Sequence, residues 1–107
     1  MTQIGIDIGG SGVRGAVVRD GQIQEIVAYP LNNRETETVV STVVRLVQTL
    51  DSAGPVGVSV PGFIQNDIIR ASPNFPSWKD LPLATLLSEQ LNCPVTLMND
   101  ANAAALG

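Results

Sequence analysis

Three short apolar stretches separated only by turns, all before Pro30, constrain the fold more than any other feature of the chain. In residues 3–8 (Gln3-Ile4-Gly5-Ile6-Asp7-Ile8) isoleucine takes every second position, the period of a strand with one buried face. Gly9-Gly10-Ser11-Gly12 follows, too rich in glycine to extend a strand or start a helix. Residues 13–19 (Val13 to Arg19) predict a second strand. Asp20-Gly21 is a strong two-residue hairpin signal. Residues 22–29 (Gln22 to Tyr29) predict a third strand, ended by Pro30 and Asn32-Asn33. Connections this short join only antiparallel neighbours, so the chain opens with a three-stranded antiparallel meander.

The period then changes. Val39, Val43, Leu46, Val47 and Leu50 follow helical spacing, predicting an amphipathic helix over 34–50. Asn33 is its expected N-cap, with Glu35 and Glu37 in the first turn. Gly54-Pro55 breaks the helix, and 56–60 (Val56-Gly57-Val58-Ser59-Val60) reads as a buried strand stopped by Pro61-Gly62. Residues 63–70 suit a small hairpin through Asn66-Asp67. A proline-punctuated loop comes next (71–78), then a helix over 81–91 capped by Asp80, with Leu83, Leu86, Leu87 and Leu91 on one face. Residues 94–98 predict a second buried strand, and Ala101 to Leu106 begin another helix. Hairpins first, then strands fed through helices, imply an α/β fold with a mixed sheet, its central strands parallel and helices packed on it. The last helix begins with no stop signal before Gly107, which predicts that the chain is part of a longer protein or a truncated product.

At 107 residues and 44% hydrophobic content, the chain suits one domain with a real core. Aromatics are only 4%, so Val, Ile, Leu and Ala must build that core. Net charge is -4, with no histidine, and the six basic residues form no run, a poor match to nucleic acid. No stretch approaches a membrane span and no basic leader precedes the first strand, so a cytoplasmic protein is expected. The single cysteine, Cys93, excludes an internal disulfide and a cysteine zinc cluster, and reads as a small buried or half-buried filler.

Four segments can carry chemistry. Asp7 precedes a glycine turn whose N–H groups and Ser11 hydroxyl could receive an anion. A carboxylate there would repel bare phosphate, but makes sense with Mg²⁺ between them. The other reading is a glycine-rich hairpin with a capping aspartate. Neither a dinucleotide fingerprint nor a Walker loop is present. Asn99-Asp100 ends a strand and begins a helix, where ligands gather in open α/β sheets. Asp100 could take a proton from a substrate hydroxyl and Asn99 could hold neighbouring hydroxyls; equally, Asp100 could only cap the helix. In 72–78, Asn74 stands between two prolines that lower the ordering cost of a binding loop. Trp78 reads as a core plug beneath that loop rather than a stacking platform. Pro61-Gly62 either lines the same cleft or is simply a turn.

Taken together and in this order, Gly5-Ile6-Asp7-Ile8-Gly9-Gly10-Ser11, Val58-Ser59-Val60-Pro61-Gly62, Ser72-Pro73-Asn74-Phe75-Pro76-Ser77-Trp78 to Leu83, and Pro94 to Gly107 with Met98-Asn99-Asp100-Ala101-Asn102 resemble the N-terminal lobe of the ROK family (repressors, open reading frames and sugar kinases). The resemblance spans essentially the whole chain. It implies a ribonuclease H-like, actin-like ATPase lobe over residues 1–107, and the reaction of ATP with a hexose to give ADP and a hexose 6-phosphate. It implies that Asp7 helps hold the Mg²⁺-bound donor phosphates, through water, while Gly9, Gly10 and Ser11 cradle them. Asn99 would bind sugar hydroxyls, Asp100 would be the general base on the 6-hydroxyl, and Asn74 and Gly62 would line the pocket of a hexose or N-acetylhexosamine.

Ser11-Gly12 departs from the common family turn of Thr then Lys, and is similar to that of the family's polyphosphate-using glucokinases. The family's second phosphate motif, adenosine segment, zinc-binding Cys/His cluster and remaining sugar ligands are not among these residues. The chain alone is therefore expected to lack kinase activity and to hold no zinc. Two other readings stand beside the kinase lobe. One is the sugar-sensing lobe of a ROK transcriptional regulator, against which the first strand's start just after Met1 weighs. The other is a non-catalytic remnant. An incompletely covered lobe is also expected to form homo-oligomers.

Overall fold

The alternating isoleucines and the tight turns produce the expected meander. The computed structural model describes residues 2–50 and 54–99. Strands β1 (Thr2–Ile8), β2 (Gly12–Arg19) and β3 (Gln22–Pro30) pair antiparallel. Asp20 and Gly21 both have positive φ, 52° and 80°, the backbone of a two-residue turn whose twist matches the strands it joins. Helix α1 (Thr36–Leu50) leads to β4 (Val56–Val60), the small hairpin β5 (Phe63–Gln65) and β6 (Ile68–Ala71), helix α2 (Leu83–Leu91) and β7 (Val95–Asn99). Asn66 and Asp67, at φ 55° and 61°, turn the small hairpin as their sequence suggests. The main sheet has the order β3-β2-β1-β4-β7, with β4 parallel to both β1 and β7. The carboxyl ends of these three parallel strands therefore lie side by side, with Val60 opposite Asn99 and Ser59 opposite Asp7.

Both helices cover one face of the sheet. Ile4, Ile6 and Ile8 of β1 and Val56, Val58 and Val60 of β4 meet Val39, Val43 and Leu46 of α1 and Leu83 and Leu87 of α2. Apart from Phe75 and Trp78 the core is aliphatic, as the low aromatic content required. Gly15 allows α1 its close approach: a Cβ there would lie 2.7 Å from Ile6 Cδ1 and collide with Leu46 Cδ2. At the sheet's edge, the Tyr29 hydroxyl shares a 2.7 Å hydrogen bond with Thr49 Oγ1, and the Arg45 guanidinium lies 4.3 Å above the Tyr29 ring, tying β3 to α1. Trp78 is fully buried and stacked on Phe75 with 3.9 Å between ring centres, the expected plug beneath the Asn74 loop. Cys93 is half-buried.

Two helix starts differ from expectation. Asn33 does not cap α1. Its Oδ1 accepts the Glu35 N–H at 2.9 Å in a turn ahead of the helix, and the Glu35 carbonyl accepts the Val39 N–H at 3.0 Å. Glu35 thus precedes α1, leaving Glu37 as the acidic residue of the first turn. Nor does Asp80 cap α2. It sits at φ 51° with its carboxylate 2.9 Å from Arg70 Nη1. Leu81 and Ile69 exchange backbone hydrogen bonds of 2.8 and 2.9 Å, holding the chain extended until Pro82, so α2 starts at Leu83 without a side-chain cap. The helix expected from Ala101 lies outside the described residues.

Candidate functional site

Strand alternation that buries Ile6 and Ile8 turns Asp7 to the opposite, exposed face. Its cross-strand partner is Arg14, and the Arg14 Nη2–Asp7 Oδ2 distance is 3.5 Å, with the two side chains 71% and 50% exposed. The turn that follows closes on itself, the Gly9 N–H donating to the Gly12 carbonyl at 2.9 Å. The Ser11 carbonyl accepts the Leu31 N–H at 3.1 Å, which fastens the turn to the segment leaving β3. Beside it lies a hollow of about 390 Å³ lined by Asp7, Gly9, Ser11, Gly12, Arg14 and Tyr29 among others.

A second hollow, about 510 Å³, opens at the carboxyl ends of β4 and β7 and is lined by Pro61, Gly62, Phe63, Ala71, Pro73, Asn74 and Asn99. It gathers three residues expected in the sugar pocket from distant parts of the sequence. Asn99 Nδ2 donates to the Gly62 carbonyl, and the Ser72 hydroxyl donates to the Pro61 carbonyl, so the turn after β4 is gripped from two sides. Gly62 must be glycine: a Cβ there would stand 2.6 Å from the Ala71 carbonyl oxygen. Asp100 follows Asn99 but lies outside the described residues.

Between the two hollows, Gly10 of the glycine turn and Asn74 of the second hollow are neighbours. A Cβ on Gly10 would lie 3.3 Å from Asn74 Nδ2 and 3.0 Å from Arg34 Nη2. Arg34 donates from Nε to the Gly10 carbonyl at 3.1 Å and from Nη1 to the Asn74 carbonyl at 3.0 Å. The glycine turn and the Asn74 loop are therefore neighbours, joined by a guanidinium.

Sequence reading missed Arg14, Arg34 and Ser72 as members of this site. Arg14 was within reach, because a tight turn between Ile8 and Val13 sets Asp7 opposite residue 14. Nothing in the local sequence of Arg34 announces its partners, which are 24 and 40 residues away. Basic residues scattered along an acidic chain are thus concentrated by folding: two of the six stand at the glycine turn.

A family model described as the ROK family matches residues 3–107. Among curated proteins, the chain is 36% identical over 111 residues to a glucokinase of Thermotoga maritima, a match that covers 97% of this chain and 35% of that enzyme. It is 35% identical to an N-acetylmannosamine kinase of Vibrio cholerae serotype O1, covering 98% of this chain and 38% of the relative. Among solved structures, the inorganic polyphosphate/ATP-glucomannokinase of Arthrobacter sp. strain KM is similar with a TM-score of 0.90 at 34% identity, over 98% of this chain and 46% of that one. The chain spans little more than a third of the length of these two curated relatives. The structural likeness bears out the expected actin-like ATPase lobe, and the family match agrees with the motifs that first suggested it. On the match over residues 3–107, the chain belongs to the ROK family.

Proposed function

We propose that this chain forms the part of a sugar kinase cleft that receives a hexose or N-acetylhexosamine on one wall and the donor phosphates on the other. The observation that carries the reading is the approach of the glycine turn to the Asn74 loop, where Gly10 and Asn74 are close enough that a Cβ on the glycine would touch the amide. In this reading Asn99, Asn74 and Gly62 hold the sugar, and amide groups that both donate and accept suit paired hydroxyls. Gly9, Gly10 and Ser11 cradle the phosphates of ATP or polyphosphate. Asp100 takes the proton from the attacking 6-hydroxyl, a contribution of about 10²–10⁴-fold to the rate in general-base catalysis.

The residues present fit Mg²⁺ as a companion of the donor. Mg²⁺ is commonly held by one or two carboxylates together with phosphate oxygens and water, rather than by a protein cage. Asp7 supplies one half-exposed carboxylate beside the turn, and the described residues contain no cluster of three or more metal-binding side chains. The long, exposed contact of Asp7 with Arg14 belongs to a class worth about 0–1 kcal/mol, weak enough to yield to a dication. When bound, Mg²⁺ supplies charge neutralisation on the donor phosphates.

Calorimetric titration of the 107-residue chain with glucose and with N-acetylmannosamine tests the reading. Binding in the millimolar range or tighter is expected for one of them, reduced at least tenfold by Asn99→Ala, since a polar site loses affinity when its hydrogen bonds go unmade. Absence of heat with either sugar at millimolar concentration would overturn it in favour of a non-binding remnant.

A further inference from the structure

We propose that Arg34 is a positioning residue that sets the distance between the two walls of the cleft and couples occupancy of one to occupancy of the other. The proposal deepens the sugar kinase reading and, for its coupling, rests on it.

The guanidinium is a rigid planar fork with donors in fixed directions. Here two of its arms end on backbone carbonyls of separate segments, Gly10 in the donor turn and Asn74 in the sugar loop, at 3.1 and 3.0 Å. A single rigid group bonded to both fixes their separation and relative orientation, as two independent contacts could not. Carbonyls are well chosen as targets, since a side chain could rotate away while a carbonyl moves only with its loop. The third arm completes the fit: Nη2 stands 3.0 Å from where a Cβ of Gly10 would be, so any side chain at that position would crowd Arg34.

The base of Arg34 is itself anchored. Its segment is tied to the donor turn by the Leu31 N–H to Ser11 carbonyl bond of 3.1 Å, and is turned into α1 by the 2.9 Å bond between Asn33 and the Glu35 N–H. The donor turn is thus held by Leu31 as well as by Arg34, and the reach of the side chain carries that constraint across to Asn74. A ligand that orders either loop leaves less to be ordered at the other, which is positive coupling, and such coupling is reciprocal. Lysine could not replace this residue, because a single ammonium on a flexible stem has no fork to hold two carbonyls in fixed geometry.

The test has a ligand-free arm and a ligand arm, each run on the 107-residue chain with Arg34→Ala and Arg34→Lys. Without ligand, nuclear magnetic resonance should show Arg34→Ala shifting the Asn74 side-chain amide and accelerating exchange of the Gly9 and Leu31 amides about fivefold to tenfold, as loss of charge-assisted bonds predicts. Arg34→Lys should restore the melting temperature but not both sets of signals. With ligands, saturating glucose should tighten binding of inorganic tripolyphosphate with Mg²⁺, a probe of the phosphate wall alone, by about fivefold or more in the wild-type chain. That factor should fall to about one in both variants, while each ligand alone still binds. Unchanged Asn74 and Gly9 signals in Arg34→Ala would overturn the clamp, and full coupling in Arg34→Ala would overturn its role in communication. Failure of both ligands to bind the wild-type chain would instead strike the sugar kinase reading, with the ligand-free arm still deciding the clamp.

Discussion

Gly62 shows how much of this site depends on single atoms. The residue lies between the Ala71 carbonyl and Asn99, and its own carbonyl accepts the Asn99 amide. Gly62→Ala would place a methyl group 2.6 Å from the Ala71 oxygen, and because that oxygen is backbone, relief requires β6 to move or the turn to withdraw from Asn99. Overpacking of this kind costs about 1–3 kcal/mol. The expected outcome is a lower urea midpoint with an unchanged slope, together with weaker sugar binding. A midpoint equal to wild type would mean that the turn can shift freely. At this scale the sequence was informative about residue types and poor about partners. The Pro61-Gly62 and Asn99 motifs were readable, but their bond spans 37 residues and depends on β4 and β7 being neighbours. Asp80 shows the opposite failure. An aspartate before a leucine-rich stretch suggests a cap, yet Arg70 ten residues earlier takes its carboxylate.

At the level of elements, periodicity found the strands and helices that bury one face, such as β1, β4 and α1, while turn signals at Asp20-Gly21 and Asn66-Asp67 were needed for β3 and the small hairpin, which bury little. Ends were harder to place. The start of α2 was set by Leu81 pairing with Ile69, a tertiary contact that leaves no local signature. The packing of α1 on β2 gives a sharp test. Gly15→Ala would force its methyl into the buried Leu46 side chain, at a cost of about 1–3 kcal/mol. Leu46→Ala alone leaves a cavity and costs about 2–5 kcal/mol. The double variant should be less destabilised than the sum of the two by about 0.5–3 kcal/mol, since the new methyl then enters space the leucine has left. Chemical denaturation of the four proteins in this cycle measures the coupling. Simple additivity would show that the helix and sheet do not meet as closely as Gly15 indicates.

The molecule as a whole is covered on one side. α1 and α2 share a face of the sheet, while cross-strand partners on the other face form a row of Ile26, Ala16, Gly5, Gly57 and Thr96. Gly5 and Gly57 have open space where a side chain would project. The register shift between Val17 and Val18 sets Ile23 opposite Val18 and Ile26 opposite Ala16, so both isoleucines reach this same face, 63% and 64% exposed. This asymmetry could not be read from the strands alone. Alternation in β1 and β4 marks one apolar face, but glycine at 5 and 57 is silent about whether the other is wet or covered. A shallow trough of small residues rimmed by exposed isoleucines favours association, since water leaves apolar surface when a partner covers it. The 107-residue chain is therefore expected to self-associate with increasing concentration in sedimentation velocity runs. Ile26→Lys should shift it toward monomer without lowering its melting temperature, because Ile26 packs little of its surface in the folded chain. A wild-type chain that sediments as a single monomeric species across the accessible range would count against this use of the face. An Ile26→Lys variant that associates as strongly as wild type would move the contact to another surface, the exposed Phe63 in the hollow at the ends of β4 and β7 being the next to substitute.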